Sequence, residues 1–173
     1  MRTGEDCTFV NTLIEREDIP TGLNYNALVT AFESELGRWD QTVGNLMIQE
    51  KTSWPKVKRI IQDMAGPHGL MIFYRIDQGS IISLHNGIKR CSLYLVGNPI
   101  IAEQILSVDI RASLYVPFRV CLYDDGNPAG ASISFDRPSS FLATFHQPAL
   151  MKIGCMLNSK IYSVVHSIVS NCD

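Results

Sequence analysis

Residues 70–136, LMIFYRIDQGSIISLHNGIKRCSLYLVGNPIIAEQILSVDIRASLYVPFRVCLYDDGNPAGASISFD, decide the fold of this 173-residue chain. From Leu70 onward apolar residues recur at every second position, the period of a half-buried strand, and the segment reads as five strands interrupted by one short helix. LMIFYRI and SIISLHN flank Asp77-Gln78-Gly79-Ser80, a turn whose glycine is free to take the positive φ of a tight hairpin. KRCSLYLVGN is the third strand, broken by Gly97-Asn98-Pro99. IIAEQILSV supplies the short helix, and SLYVPFRVCLYDD with GASISFD makes a second hairpin around Asp125-Gly126-Asn127-Pro128.

Outside this segment the spacing is mostly helical. Thr8 to Arg16 (TFVNTLIER) puts Phe9 and Leu13 near two-residue spacing and reads as a strand. Asn24 stands as an N-cap before Tyr25, Leu28, Val29, Phe32 and Leu36, an apolar stripe that Gly37 ends as a C′ residue. Arg38 to Lys51 is mixed. Ser53 and Pro55 open a second helix with Val57, Ile60, Ile61 and Met64 on one face, ended by Gly66-Pro67. Lys56, Lys58 and Arg59 lie off that stripe, as a solvated face does. Pro138-Ser139-Ser140 caps a short turn, and Pro148 opens a long helix striped by Leu150, Ile153, Leu157, Ile161, Val164 and Ile168. With no repeat or linker, residues 1–173 read as a single α+β domain, a mainly antiparallel sheet with helices packed on one face.

Strand parity assigns the faces. Met71, Phe73, Ile82, Leu84, Cys91, Leu93, Leu95, Leu114, Val116, Phe118, Val120, Leu122, Ile133 and Phe135 share the parity predicted to meet the helices. At roughly 1.5–3 kcal/mol per buried large side chain, such a set dominates stability. The opposite parity carries Tyr74, Ser83, His85, Arg90, Ser92, Tyr94, Tyr115, Arg119, Cys121, Tyr123, Ser132, Ser134 and Asp136, interleaved with Ile72, Ile76, Ile81 and Val96. Tyrosines among serines with few charges are unusual for a solvent-facing sheet. Aromatic residues and arginine without lysine suit a homodimer interface, and an apolar wall with convergent hydroxyl, imidazole and guanidinium groups suits a small-molecule cleft. Both readings hold together if the cleft lies between subunits.

Composition narrows the partners. The chain is 46% hydrophobic and 18% charged, which argues against disorder, and no run of about 20 apolar residues marks a membrane span. Fifteen basic against seventeen acidic residues leave a net charge of −2, with no global excess to attract nucleic acid or an anionic membrane. Cys7, Cys91, Cys121, Cys155 and Cys172 form an odd set without C-x-x-C pairing or close zinc-ligand spacing, so they read as reduced thiols. With no secretory signal pattern at the start, the expected location is cytoplasmic.

The run from Ser92 to Phe145 resembles the domain of unknown function 302 family, through Gly97-Asn98-Pro99 at the end of a strand, a short helix, a strand built around Pro117 and ending in Asp124-Asp125, and a closing strand running into Asp136 and Pro138. The resemblance covers about residues 70–173 and extends more loosely back to Thr8. It implies a compact α+β domain that usually pairs as a dimer, and no established reaction, cofactor or catalytic residue. The material between Gly37 and Trp54 is an addition relative to shorter members and a candidate for shaping a pocket, with Trp39, Met47 and Trp54 packing it against the sheet.

Catalytic constellations are sparse. No G-x-S-x-G, Walker, G-x-G-x-x-G or H-E-x-x-H motif occurs, so no cofactor is expected. Among His68, His85, His146 and His166, only His85 falls on a predicted strand facing the polar side, near Tyr74 and Ser83. His85 is the candidate acid or base, with Tyr74 and Arg119 stabilising developing negative charge in isomerase or lyase chemistry on a small carbonyl compound. Tyr94, Tyr115, Tyr123, Ser83 and Asp136 are the candidate ligand-binding residues. Cys121 gains thiolate character if the Arg119 guanidinium is close, and Asp124 or Asp136 is placed to pair with Arg119 or Arg137. Asp124 and Asp125 are better explained by turn formation than as an acid and base pair. A metal site from His85, Asp136 and Cys121 lacks the close spacing that such sites use, and no metal is expected. The sequence thus suggests a dimeric binder of a small organic acid or carbonyl compound, with a cofactor-free enzyme or a pure interaction module as alternatives.

Overall fold

The computed structural model describes residues 9–170. The strands are β1 (Arg16–Pro20), β2 (Gly37–Arg38), β3 (Met71–Asp77), β4 (Arg90–Gly97), β5 (Phe118–Asp124) and β6 (Ser132–Asp136). They form one sheet in the order β1-β6-β5-β4-β3-β2. Every pairing is antiparallel except that of β2 with β3 at one edge. The helices are α1 (Tyr25–Ser34), α2 (Gln41–Gln49), α3 (Trp54–Met64), α4 (Gln78–Asn86), α5 (Pro99–Val108), α6 (Pro138–Ala143) and α7 (Pro148–Ser170). The architecture is α+β, as the sequence indicates.

Side-chain caps set several helix starts. Asn24 Oδ1 accepts from Ala27 N at 3.0 Å, Asp40 Oδ1 from Thr42 N at 2.8 Å, and Asn98 Oδ1 from Ile100 N at 2.8 Å. Leu28 and Phe32 of α1, Ile105 of α5, and Leu157, Ile161 and Val164 of α7 form one core with Val96, Phe118, Val120, Leu122, Ile133 and Phe135 of the strands. All are buried, and they cover one face of the sheet.

The first strand forms at Arg16–Pro20, beyond the predicted stretch; Phe9 and Leu13 are exposed, and Thr8 lies outside the described residues. The segment used pairs Glu17 with Phe135 and Ile19 with Ile133, and its charges and Pro20 protect a sheet edge from further pairing. Helix α1 stops at Ser34, and Gly37 begins β2 instead of capping the helix. A Cβ on Gly37 would lie 2.0 Å from the Met64 carbonyl oxygen, so the end of α3 can approach only a glycine there.

SIISLHN is a helix and not a strand. Asp77 caps it, accepting from Ser80 N at 3.0 Å and from Ser80 Oγ at 2.7 Å. A Cβ on Gly79 would fall 2.6 Å from Cys91 N, so this glycine serves a close approach of α4 to β4 in place of a hairpin turn. Leu84 and Ile82 are exposed and leave the predicted core. A 3-10 turn spans Ile110–Tyr115, followed by a cis Val116–Pro117 peptide, so Leu114 and Tyr115 precede β5.

The parity of β4 is the reverse of that predicted. Ser92, Tyr94 and Val96 are buried on the helix-covered face, while Cys91, Leu93 and Leu95 face the other way. A bulge between Ile72 and Tyr74 puts Ile72 and Arg75 on the covered face and Tyr74 and Ile76 on the open one. Alternation separates two faces without saying which one a helix will cover when both hold apolar and polar residues.

Replacing the α4 cap, Asp77→Ala, is expected to cost about 1 kcal/mol. The measurement is urea unfolding together with amide hydrogen exchange, and faster exchange should be confined to residues 78–86.

Candidate functional site

Three rows of side chains cross the uncovered face. Tyr74, Leu95 and Arg119 are successive partners across β3, β4 and β5. The next row is Ile76, Leu93, Cys121, Ser134 and Asp18, and the third is Cys91, Tyr123, Ser132 and Pro20. Tyr74 is 62% exposed, and Leu93, Leu95, Cys121, Tyr123 and Ser134 are half-buried. These strands contain no lysine, and the face carries two ion pairs among the described residues, Arg119 Nη2 to Asp136 Oδ2 at 2.9 Å and, on the edge strand β1, Arg16 Nε to Asp18 Oδ2 at 3.1 Å. The Nε and Nη1 of Arg119 make no hydrogen bond among the described residues, and its side chain is 65% exposed.

Two hollows flank the Arg119–Asp136 pair. One, of about 390 Å³, is walled by Leu95, Leu114, Tyr115 and Phe141. The other, of about 310 Å³, is bounded by Gln78, Leu93, Cys121 and Ser134. Tyr115 is held by stacking on Phe141 with ring centroids 5.2 Å apart, and edge-on by Phe145 at 5.9 Å. Arg119 therefore presents free N–H donors between two partly apolar hollows.

The structure brings together only part of the predicted site. Tyr74, Arg119, Tyr123 and Asp136 share the open face, and Tyr115 borders it. His85 lies in the last turn of α4, exposed, and not on a strand beside Tyr74. Ser83 is also on α4, donating to Gly79 O at 2.7 Å and accepting from Lys89 N at 2.8 Å, which ties the helix to the following loop. Tyr94 is in the core. Asp124 pairs with Arg90 at 3.3 Å and Arg137 with Glu15 at 2.6 Å, leaving Asp136 as the partner of Arg119. The Asp124 and Asp125 carboxylates each accept a backbone N–H two residues on, as turn residues do.

Tyr94 belongs to a polar cluster that the sequence does not announce. Its hydroxyl donates to Glu33 Oε1 at 2.9 Å, and Arg75 Nη1 reaches the same oxygen at 3.1 Å. Arg38 holds the other Glu33 oxygen at 2.5 Å, and the Arg75 guanidinium sits 5.6 Å from the centre of the Tyr94 ring. Arg75 Nε and Nη2 also donate to Ser92 Oγ, each at 3.3 Å, and Ser92 Oγ and Tyr25 Oη share a hydrogen bond of 2.8 Å. Burial, then the neighbouring Glu33 carboxylate, push the Tyr94 phenol well above its ordinary range. The cluster joins α1 to β3 and β4. Its one sequence cue is the i, i+8 placement of Tyr25 and Glu33 on the face of α1 that turns toward the sheet.

Burial raises the Cys121 thiol above its ordinary value, with Cys91 and Asp18 adding to the effect, so Arg119 does not activate it. Among the described residues, no three His, Cys, Asp or Glu side chains come together as a metal site.

This arrangement of strands and turns can be set beside known proteins. The family described as Domain of unknown function DUF302 matches residues 48–168. The chain belongs to the DUF302 family. The match begins inside the stretch read from sequence as an addition, and so takes in the end of α2 and the whole of α3. The crystal structure of the uncharacterized conserved protein DUF302 from Bacillus stearothermophilus is similar, with a TM-score of 0.60 and 13% identity, covering 90% of this chain and 97% of that one. That likeness shows the fold. No curated protein matches the sequence significantly.

Tyr94→Phe removes one bond to a carboxylate that keeps its arginines, and is expected to cost about 1.5 kcal/mol in urea unfolding at neutral pH. Because the folded phenol titrates above an unfolded value near 10, its contribution is complete below about pH 10 and is lost as pH rises further. The variant should therefore show a shallower fall in stability between about pH 10 and 12. A second expectation concerns the thiols: at pH 8, iodoacetamide followed by peptide mapping should label exposed Cys155 well before Cys121.

Proposed function

We propose that this DUF302 protein is a homodimeric small-molecule binder, in which a second copy covers the open sheet face and a small organic compound is held at Arg119 by its carbonyl or carboxylate oxygen. The observation that carries this reading is the face itself. It is half apolar, its strands are free of lysine, and the Arg119 guanidinium keeps unused donors beside two hollows. A sheet surface meant for water is normally studded with lysine and glutamate. Aromatic residues and arginine without lysine are the make-up of interface centres.

Helix α4 enlarges the patch. Ile81 and Leu84 are exposed on it, and Gln78 at its start borders the hollow beside Leu93 and Cys121. A stable dimer buries on the order of 1,200–2,000 Å² in all, and the three rows with α4 offer a continuous surface for it. Asp136 offsets the charge of Arg119, so a neutral carbonyl compound binds without the repulsion that a carboxylate meets. The enzyme reading, with His85 acting beside Tyr74, loses its geometric basis because His85 stands on α4.

Native mass spectrometry of freshly purified protein tests both parts. The expected species is a dimer of 19.3 kDa chains carrying extra mass. Leu93→Lys should give a monomer, and Arg119→Ala a dimer without the extra mass. A wild-type monomer overturns the dimer. A wild-type dimer that neither retains a small molecule nor takes one up from a panel of short keto compounds overturns the ligand site.

A further inference from the structure

On the helix-covered side of the Val116–Phe118 segment lies another cavity, of about 340 Å³. Val96 and Phe118 form its floor, Ile101 and Ile105 of α5 one wall, and Leu157 of α7 another. Trp39, in the link between β2 and α2, roofs it by stacking on Phe73, with ring centroids 5.5 Å apart and planes 26° apart. Gln41, exposed at the start of α2, stands at the rim.

The polar groups around this cavity are already engaged. Asn98 Oδ1 caps α5 and its Nδ2 donates to Gly69 O at 2.9 Å. Gln41 Oε1 accepts from the Trp39 indole N–H at 3.1 Å, and Gln41 Nε2 donates to Asn45 Oδ1 at 2.9 Å. No charged side chain lines the space. An anion entering it would give up its hydration with nothing in return, whereas an apolar ring gains contact on every side. The volume falls in the range of small-molecule pockets, and two stacked aromatic rings at the roof match a flat guest.

We infer that this cavity is a binding site for a neutral, flat, predominantly hydrocarbon molecule of about the size of a substituted naphthalene, with Trp39 as its lid. The site is separate from Arg119 and takes ligands of the opposite character. It uses the segment between Gly37 and Trp54, which supplies the lid and the rim.

The test compares two fluorescent probes that differ by a sulfonate, N-phenyl-1-naphthylamine and its anionic counterpart 1-anilinonaphthalene-8-sulfonate. The neutral probe should bind one per chain and quench tryptophan emission, and the sulfonate should bind at least about tenfold more weakly. Ala102→Phe, on α5 where its ring fills the cavity mouth, should weaken the neutral probe by about tenfold or more with the urea midpoint unchanged. Ala102→Leu serves the same purpose if the larger residue prevents folding. Ala102 also borders a shallower groove between α2, α3 and α5, so Ile48→Lys, which charges only that groove, should leave binding as it was. Arg119→Ala should do the same. Equal affinity for both probes, or binding that survives both Ala102 substitutions, overturns the inference. So does binding lost in Ile48→Lys or Arg119→Ala, or none at all.

Discussion

The Glu33 carboxylate decides how this sheet is dressed. It projects from α1 to receive Tyr94 and Arg75, while Tyr25, about two turns earlier on the same helix, meets Ser92. A tyrosine and a serine in the middle of β4 can be buried only if their polar atoms are paired, because an unpaired buried hydroxyl costs more than its hydrogen bond returns. With the pairing supplied by α1, the Ser92-Tyr94-Val96 side of β4 goes inside. Cys91, Leu93 and Leu95 are then forced onto the other face by the alternation of the strand. The apolar character of the open face is thus a consequence of the polar character of the covered one.

That coupling explains what could be read in advance. The α+β class, helices α1, α3, α5, α6 and α7, and the inward parity of β5 and β6 follow from local spacing: Phe118, Val120 and Leu122 are separated by Arg119, Cys121 and Tyr123 with little ambiguity. Strand β4 is different, since Leu93 and Leu95 look more like core than Ser92 and Tyr94 do. Only a contact 61 residues distant in sequence, from Glu33 to Tyr94, reverses the choice. Helix α4 was lost for a related reason. Ile81, Ile82 and Leu84 form a short apolar run that fits a strand, and the Asp77 cap that makes it a helix also fits a hairpin turn.

The candidate site divides along the same line. Arg119, Asp136 and Tyr123 lie on strands whose parity was legible, and they fall together on the open face. Ser83 and His85 depended on α4 being a strand, and Tyr94 on the parity of β4, so they fall elsewhere. The apolar cavity had no signal beyond an unassigned stretch with Trp39 in it. A cavity is made of the space between elements, and its walls come from the link after β2 and from β3, β4, α5, β5 and α7, which no single window of sequence contains.

Packing constrains the core and the open face unequally. Core positions such as Val120, Leu122 and Ile133 are dictated by packing, where a missing methylene is felt. The open-face positions are packed more loosely: Leu93 and Leu95 are half-buried and Tyr74 is largely exposed, where lysine or threonine would be better solvated. Trp39 likewise stands outside the core, its ring stacked on Phe73 at the cavity beneath α5. Neither the leucines of the open face nor the Trp39 ring at the cavity is required by the packing that fixes the core. Fold does not specify function, so what these two surfaces do follows from their own side chains.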